Sequence, residues 1–412
     1  MKPFFEVLRK DGNARAGQLH FMHGTVETPA FAPVATRGAI KLLDMDDLTG
    51  MGAQILMANT YHLSLRPGFE RIRKFGGLHK FISWDRPIMT DSGGFQAFSL
   101  GIGSVLGRSK FEYDDPEQIS AMEGYLNKHG RKCRVKITDD GVVFKSVYDG
   151  TVHEFTPERS LDIQTALGSD MMFVLDECTY PSADYGYTQE SMKRTHEWAV
   201  RSLRHSLRIH RGTHRPAIFG IVQGGLYRDL REESARFIST LEIDGRSFDG
   251  IGIGGAFGKG QMYDVLDWIV PILPEDKPRH LLGIGTVVDI FESVKRGVDL
   301  FDCVGPQRIA RAGYFYVSPE TGGNPENKFR LRITNAQFSD DPRPLDPSCS
   351  CPVCRRYTRA YIHHLFKFEP LAGMRLTTIH NLTFFIRLME TIRKSIINGQ
   401  FERLYDKWIK GQ

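Results

Sequence analysis

The stretch VDLFDCVGPQRIAR, which runs from Val298 to Arg311, shows the unit from which the chain is built. It begins as a short apolar strand, carries the carboxylate of Asp302 at the strand's end, and breaks at a Gly-Pro pair. Two arginines, Arg308 and Arg311, follow the break. A lone aspartate at a strand end is most often a cap, so its meaning depends on what stands at the ends of the other strands.

Seven similar apolar runs precede this one, and each is followed by an amphipathic segment. The runs are Pro29–Ala35, Gln54–Asn59, Pro87–Thr90, Met171–Leu175, Ala217–Val222, Phe248–Ile253 and His280–Ile284. The helix-like segments are Asp44–Met51, Pro67–Phe75, Pro157–Leu167, Gln189–His210, Leu230–Leu241, Met262–Ile272, Val287–Gly297 and Leu382–Asn398. Strands that alternate with helices predict an α/β fold with a parallel sheet, and eight strands are the number that closes a (β/α)8 TIM barrel. A doubly wound open sheet is the alternative.

The glycines at Gly250, Gly252 and Gly255 match the G-x-G-x-x-G pattern of dinucleotide-binding folds. The match follows the sixth predicted strand rather than the first, and no capped helix opens directly on it. A nucleotide cofactor is therefore not predicted.

Two stretches interrupt the alternation. Residues 101–155 contain a helix-like piece, Pro116–His129, and two strand-like runs, Cys133–Thr138 and Val142–Ser146, joined by an Asp-Asp-Gly turn. The second interruption carries a cysteine cluster. The predicted organisation is a barrel over residues 1–312 with an insertion over 101–155, a zinc-binding subdomain over 313–381, and a C-terminal helix within 382–412 that completes the barrel.

Composition excludes several classes of protein. The chain has 412 residues, of which 41% are hydrophobic, and a formal net charge of +5, which is compatible with an RNA partner. Its first ten residues carry charges too early for a signal peptide, and no apolar run approaches the roughly 18 residues of a membrane helix. We therefore expect a cytoplasmic protein without membrane contact.

A metal site is predicted from Cys349-x-Cys351-x-x-Cys354, which is followed by His380. Three thiolates and one imidazole make a closed tetrahedral set, so we expect one structural Zn²⁺ per chain. His363 and His364 are nearer in sequence, and spacing alone leaves them open as the fourth ligand.

Polar residues and glycines stand at the ends of six predicted strands, and in a barrel these ends meet at one rim. They are Asp91 with Ser92, Gly93, Gly94 and Phe95; Asp176; Gln223; Gly254 and Gly255; Gly283 and Gly285; and Asp302. This combination suggests glycosyl transfer, in which one carboxylate attacks an anomeric carbon and a second moves protons. Asp302 suits the nucleophile and Asp91 the base. Asp176, Gln223 and the Gly254-Gly255 backbone suit the edge of a heterocycle, which Phe95 and Leu282 could sandwich.

These motifs, with Thr-Ile-His-Asn-Leu around His380, resemble those of the tRNA-guanine transglycosylase family from about Phe4 to the end of the chain. The resemblance implies a (β/α)8 barrel with a zinc subdomain and exchange of the wobble guanine of G-U-N anticodons for queuine or a 7-deazaguanine precursor such as preQ1. By matching position it implies Asp302 as nucleophile, Asp91 as proton acceptor, and Cys349, Cys351, Cys354 and His380 as zinc ligands. It further implies RNA contacts within 283–289 and 307–311, which include Gly283, Gly285, Asp289, Gln307, Arg308 and Arg311. The family is often homodimeric.

One residue that departs from the pattern of bacterial family members bears on which 7-deazaguanine base is accepted. Gly258 stands where most bacterial members carry valine, and this removes bulk beside the 7-substituent. We expect an enzyme that accepts queuine itself, although Cys178 is of the bacterial type.

The sequence disfavours three other classes of protein. Retention of both Asp91 and Asp302 argues against a non-catalytic family partner. The C-terminal domains expected of an archaeosine-type enzyme have no room after His380, and a glycoside hydrolase should show tryptophans near the rim, where Trp84 alone stands close to a strand end. The basic stretch from Lys193 to Arg215 is interpreted as a solvated helix face rather than a phosphate-binding stripe.

Overall fold

Eight parallel strands form the centre of the molecule. The computed structural model describes residues 3–95, 135–146, 148–212, 215–255 and 260–412. The barrel strands are β4 (Ala30–Pro33), β5 (Leu56–Ala58), β6 (Ile88–Thr90), β10 (Met171–Phe173), β11 (Ala217–Val222), β14 (Gly250–Ile253), β15 (Arg279–Leu281) and β16 (Leu300–Cys303). They pair in the order β4-β16-β15-β14-β11-β10-β6-β5. A parallel bridge between Val34 and Met57 joins the two ends, so the sheet is closed and the open-sheet alternative is wrong.

Helices follow the strands and cover the barrel. They are α1 (Met45–Met51), α2 (Thr60–Leu63), α3 (Phe69–Lys74), α4 (Leu78–Ile82), α5 (Pro157–Leu167), α6 (Tyr185–Ile209), α7 (Arg228–Thr240), α8 (Gln261–Ile269), α9 (Val287–Lys295), α10 (Gly305–Arg311), α11 (Arg359–Phe368), α12 (Pro370–Ile397) and α13 (Phe401–Tyr405). Short π-helical turns occupy Ser64–Gly68 and Asp406–Lys410, and 3-10 turns occupy Pro319–Thr321 and Ala336–Phe338.

The strand sequences explain why they lie inside. All six residues of β11 are buried, as expected when a parallel strand is covered on both faces. The predicted helix Pro157–Leu167 is confirmed with its signals: the Thr156 side chain accepts from the Arg159 N–H, and Gly168 ends the helix at a φ of 76°.

The last long helix starts earlier than expected. It was predicted from Leu382 but begins at Pro370, where proline occupies the first helical turn. His380 and Asn381 therefore lie inside this helix rather than before it.

Two further sheets flank the barrel. An N-terminal antiparallel sheet of β1 (Phe5–Asp11), β2 (Ala14–Phe21) and β3 (Gly24–Thr28) was not predicted, because β1 is largely exposed and shows no apolar run. In the insertion, the expected hairpin is confirmed as β7 (Val135–Ile137) and β8 (Val142–Lys145), and β9 (Val152–Phe155) adds a third strand. The predicted helix Pro116–His129 lies outside the described residues.

Three short elements remain. The hairpin β12 (Glu242–Ile243) and β13 (Arg246–Ser247) precedes β14. The hairpin β17 (Tyr314–Tyr316) and β18 (Arg330–Arg332) begins the region that carries the cysteine cluster. Among the described residues, no helix combines the length and the apolar character needed to cross a bilayer.

A buried ion pair joins the N-terminal sheet to the barrel. The guanidinium of Arg15 on β2 donates from Nε to Asp299 Oδ1 over 2.8 Å, and both side chains are at most 1% exposed. Arg15 also donates to the carbonyls of Glu275 and Lys277, while the Arg279 N–H donates to Asp299. The charges are thus compensated on both sides, as a buried pair requires.

We predict that Arg15→Met destabilises the protein by about 3–5 kcal/mol, because the Asp299 carboxylate then stays buried without its counter-charge. The free energy of unfolding from urea titration measures the change. Lys10→Ala is the matched control, because Lys10 pairs with Glu275 on the exposed surface and should leave the transition almost unchanged. A small effect of Arg15→Met would contradict the structural role of the pair.

Candidate active site and metal cluster

Asp91 and Asp302 stand at the same end of the barrel. Asp91 directly follows β6, and Asp302 is the third of the four residues of β16. Both strands run in the same direction within one closed sheet. The charge of Asp302 is close enough to raise the pKa of Asp91. The sequence-based expectation that two distant aspartates meet at one rim agrees with this arrangement.

Asp91 is held by the residues that follow β5. The Thr60 N–H donates to Asp91 Oδ1 over 2.8 Å, and the Asn59 side-chain amide donates to Oδ2. Burial is the largest influence on the carboxyl and, with the charges of Asp302 and Asp176, it outweighs the backbone hydrogen bonds from Thr60 and Gly93 and raises the pKa of Asp91 to about 7. A carboxyl with this pKa can both give and take a proton near neutrality.

Asp302 is oriented through one of its two oxygens. His280 Nε2 and the Gly283 N–H each lie 2.9 Å from Oδ1. The side chain is 13% exposed, so it lies at the edge of the barrel interior rather than in bulk solvent.

Asp176 and Gln223 form one polar unit beside these carboxylates. Gln223 Nε2 donates to Asp176 Oδ2 over 2.6 Å, and the Ser92 hydroxyl lies 3.5 Å from Asp176 Oδ1. Gly254 packs against this amide, since a Cβ there would stand 2.5 Å from Gln223 Nε2. The glycine is therefore needed to leave room for the glutamine.

The predicted glycine loops lie around this unit. Gly93 has a φ of 81°, and a Cβ on Gly94 would stand 3.0 Å from the Asp176 carbonyl oxygen. The Gly254 N–H already donates to Val222, so a donor from the Gly254-Gly255 pair can come only from Gly255. Phe95 and Leu282, the predicted ring-stacking pair, are both partly buried, and Gly258 lies outside the described residues.

The predicted RNA segment at 283–289 has internal contacts. The Gly283 amide contacts Asp302, and a Cβ on Gly285 would stand 2.4 Å from Cys303 Cβ. Asp289 Oδ1 accepts from the Tyr263 hydroxyl over 2.7 Å, and its Oδ2 accepts from the Thr286 hydroxyl over 2.6 Å. These residues shape the rim next to the nucleophile candidate.

The second predicted RNA segment divides into an inward and an outward part. Gln307 is 6% exposed and its amide donates to the Val34 carbonyl, so this side chain faces the barrel wall. Arg308 is exposed, and Arg311 is half-buried with Nη1 donating to the Gln307 carbonyl over 2.8 Å. Burial and the neighbouring Arg308 charge lower the pKa of Arg311.

The four predicted metal ligands meet. The sulfur atoms of Cys351 and Cys354 lie 3.7 and 3.3 Å from His380 Nδ1, and the four ligand atoms, including Cys349 Sγ, lie within 4.8 Å of one another. A tetrahedral site with metal–ligand bonds of about 2.0–2.3 Å has edges of about 3.5–3.8 Å, so this cluster can hold a metal ion. His380 Nε2 lies 2.8 Å from the Tyr316 carbonyl, and this bond leaves Nδ1 free to act as the ligand.

The neighbouring histidines are not part of the cluster. His363 Nδ1 instead contacts the Ile333 carbonyl at 2.7 Å. None of the five described cysteines forms a disulfide.

A second group of potential ligands, His23, His79 and Asp170, lies at the opposite end of the barrel, before β10. Its two imidazoles are stacked with centroids 3.7 Å apart and planes 18° from parallel. Ring nitrogen lone pairs lie in the ring planes, so two stacked rings cannot aim at one ion. His79 Nε2 also lies 3.1 Å from the Arg86 carbonyl, which requires a proton there. This group is a hydrogen-bonded cluster around Asp170.

Four residues that support the site were missed by the sequence reasoning. Asn59 and Thr60 hold Asp91, His280 contacts Asp302, and the buried Arg231 donates to the carbonyls of Gly225, Val222 and Gly254. Asn59 had a visible signal, because it is a polar residue at the end of the second predicted strand. Arg231 had no such signal in the sequence, since it lies on helix α7 and only its long side chain reaches the strand ends.

Three of the seven Lys and Arg residues between 193 and 215 form ion pairs with described residues. Arg194 pairs with Glu177 and Asp139, Arg201 with Glu158, and Arg215 with Asp249. These pairs support the interpretation of this stretch as a helix face rather than a phosphate-binding stripe.

A closed parallel barrel, with carboxylates and an amide at its carboxyl rim and a Cys3His cluster beside it, defines a class of (β/α)8 enzymes. The model of the family described as queuine tRNA-ribosyltransferase matches residues 10–412. The chain is 50% identical over 408 residues to a putative queuine tRNA-ribosyltransferase of Archaeoglobus fulgidus, with 98% of each chain covered. It is 45% identical to queuine tRNA-ribosyltransferases of Roseiflexus sp. (98% of each chain) and Thermoanaerobacter pseudethanolicus (95% of this chain, 93% of the relative). The chain belongs to the queuine tRNA-ribosyltransferase family.

Proposed function

We propose that this protein is a tRNA-guanine transglycosylase, which exchanges the guanine at the wobble position of G-U-N anticodons for a 7-deazaguanine base. The observation that carries the proposal is the convergence of Asp91, Asp176, Gln223 and Asp302 at one barrel rim. Family membership over residues 10–412 supports the same reaction.

The first half of the reaction is attack by Asp302 on C1′ of the ribose. A new carboxylate–C1′ bond forms while the bond from C1′ to N9 of guanine breaks, and guanine leaves with the electron pair. Asp91, which has a pKa of about 7, supplies the proton that guanine needs. The product is a covalent ribosyl ester on Asp302.

The second half reverses these roles. The incoming base gives its N9 proton to Asp91 and attacks C1′, and the carboxylate of Asp302 is released. One proton enters and one leaves Asp91 in each cycle, so the net reaction needs no external acid or base. Asp176, Gln223, Ser92 and the Gly255 backbone are proposed to hold the edge of either purine, while Phe95 and Leu282 stack on its faces.

The tRNA is proposed to contact the rim on both sides of Asp302, at 283–289 and 307–311. Arg308 and Arg311 support this, because neither forms an ion pair within the described parts of the chain. Unpaired guanidinium groups next to the nucleophile suit phosphates of the anticodon loop. Since Gln307 is turned inward, we propose that it supports this segment rather than reading a base.

Trapping the covalent intermediate tests the reaction. Incubation with guanine-labelled tRNA and no acceptor base should yield an RNA–protein adduct that survives denaturing electrophoresis, together with released guanine. Asp302→Asn should abolish both, because an amide cannot form the ester. Asp267→Asn is the matched control, since it makes the same change in an exposed carboxyl on helix α8 that pairs with Arg296 and belongs to neither proposed RNA segment, and it should retain the adduct. An adduct that persists in Asp302→Asn would refute the proposed nucleophile.

The titration of Asp91 should be visible in the pH profile. Burial raises its pKa to about 7, so the proton for guanine is present below that pH and lost above it. We expect kcat/KM for tRNA to fall above about pH 7, by up to about tenfold per pH unit. Initial rates measured across buffers of constant ionic strength would show this decrease. A flat profile through the alkaline range would contradict the role of Asp91 as the proton donor.

The acceptor base is proposed to be queuine, or at least a base larger than preQ1. The support comes from sequence, where Gly258 replaces a bulkier residue beside the 7-substituent. Release of labelled guanine should be faster with queuine than with preQ1 or preQ0. Gly258→Val should lower the rate with queuine by about tenfold or more and leave preQ1 less affected. Equal or better use of preQ1 by the unchanged enzyme would overturn the proposal.

The Cys3His cluster is proposed to hold one structural Zn²⁺ through Cys349, Cys351, Cys354 and His380. Elemental analysis should give about one zinc per chain. Cys351→Ser should lower that content and the melting temperature, because metal binding contributes directly to folding. Cys178→Ser, at a buried cysteine outside the cluster, should keep the zinc. A fully folded, zinc-free protein would contradict the assignment.

We also propose a cytoplasmic homodimer that associates through the surface beside the zinc cluster. Three large apolar side chains, Tyr361, Phe368 and Leu371, are 44%, 68% and 66% exposed there. Light scattering on the purified protein tests the oligomeric state.

A further inference from the structure

We propose that His280 is a positioning residue for Asp302, and that it determines which carboxylate oxygen bonds to the ribose. The inference depends on the proposed base exchange and adds to it a residue that controls how long the covalent state lasts. Three observations carry it: the position of His280, the single proton that its ring can hold, and the distribution of donors on Asp302.

His280 is fixed inside the barrel. It lies on β15, is fully buried, and pairs in register with Leu300 on the neighbouring strand β16. The ring of Phe173 packs against it edge-on, with centroids 5.1 Å apart. The imidazole is therefore held from two sides, and its Nε2 meets Asp302 Oδ1 at 2.9 Å.

The contacts define the tautomer. An ionised carboxylate only accepts hydrogen bonds, so the proton of this contact belongs to His280 Nε2. His280 Nδ1 is buried and has no hydrogen-bond partner in the described part of the chain. A second proton there would be a buried donor without an acceptor on a charged ring, which is costly. The ring is thus a neutral donor, and it orients Asp302 without adding a cation beside it.

The donors fall on one oxygen. His280 Nε2 and the Gly283 N–H both contact Oδ1, whereas Oδ2 of Asp302 accepts from none of the described residues. Oδ2 is therefore the oxygen that forms the bond to C1′. In the ribosyl ester Oδ1 becomes the carbonyl oxygen and keeps its two donors.

The two hydrogen bonds affect the two halves of the reaction differently. Donors stabilise a carboxylate more than an ester carbonyl, because hydrogen bonds to charged groups are stronger. When the incoming base bonds to C1′, the electron pair of the Oδ2–C1′ bond returns to the carboxylate, and the resulting charge is shared with Oδ1. His280 thereby favours release of Asp302 and keeps the covalent enzyme from accumulating.

The test compares His280→Phe, which removes the donor, with His280→Gln, whose amide N–H can occupy the place of Nε2. Each enzyme is brought to equilibrium with tRNA at one fixed guanine concentration, and the covalent fraction is measured with kcat. We expect His280→Phe to raise the equilibrium constant for adduct formation about tenfold and to lower kcat, and His280→Gln to restore both toward the wild type.

Two outcomes would overturn the inference. One is a His280→Phe enzyme with an unchanged or smaller covalent fraction, which is what a purely structural residue would give. The other is a His280→Gln enzyme indistinguishable from His280→Phe. Absence of any adduct in the wild type would instead refute the proposed function, so the two failures are distinguishable.

A measurement on the unchanged protein covers the case in which His280→Phe does not fold. Nitrogen-15 NMR of labelled imidazoles, with His280 assigned through His280→Gln, should show Nε2 protonated and Nδ1 unprotonated at neutral pH. A doubly protonated ring, or a proton on Nδ1 alone, would overturn the inference.

Discussion

Closure of the parallel sheet is the constraint on which the rest of the structure depends. The backbone pairing of β16 with both β15 and β4, and the bridge from Val34 to Met57, bring the first and last strands together. Because all eight strands run the same way, every residue just past a carboxyl end faces one shared opening. Asp91 and Asp302 are separated by more than two hundred positions in the sequence and become neighbours only through this closure.

The closed barrel also places a stabilising ion pair and a candidate catalytic carboxylate at opposite ends of the same strand. Asp299, which pairs with Arg15, is fully buried and precedes the amino end of β16. It lies three positions before Asp302, which stands at the opposite edge of the sheet. One short strand thus begins at a fully compensated charge and ends at a carboxylate with one oxygen left open. The two carboxylates differ in their partners: Asp299 is bound by Arg15 and the Arg279 N–H, whereas Asp302 is bound by His280 and the Gly283 N–H.

Much of this arrangement could be predicted from the sequence, and the physical reasons are specific. Buried parallel strands such as Ala217–Val222 are continuous apolar runs, and helix caps such as Thr156-Pro157 have local signatures, so the barrel was visible. Three closely spaced cysteines also mark a metal cluster without any tertiary information. His280 and Arg231 could not be found this way, because each acts across strands and its neighbours in sequence carry no trace of the contact. The strand β1 was missed because it is exposed on most of its length.

Helix α12 links the two functional regions of the molecule through consecutive side chains. His380 belongs to the metal cluster and contacts the Tyr316 carbonyl, while Asn381 donates to the carbonyls of Pro306 and Tyr314 and accepts from the Tyr316 N–H. Pro306 opens the helix that carries Arg308 and Arg311, only four residues beyond Asp302. Loss of the proposed ion would therefore be transmitted along this helix to the surface proposed for the anticodon loop. The proposed metal would thus act on the RNA-binding surface as well as on folding.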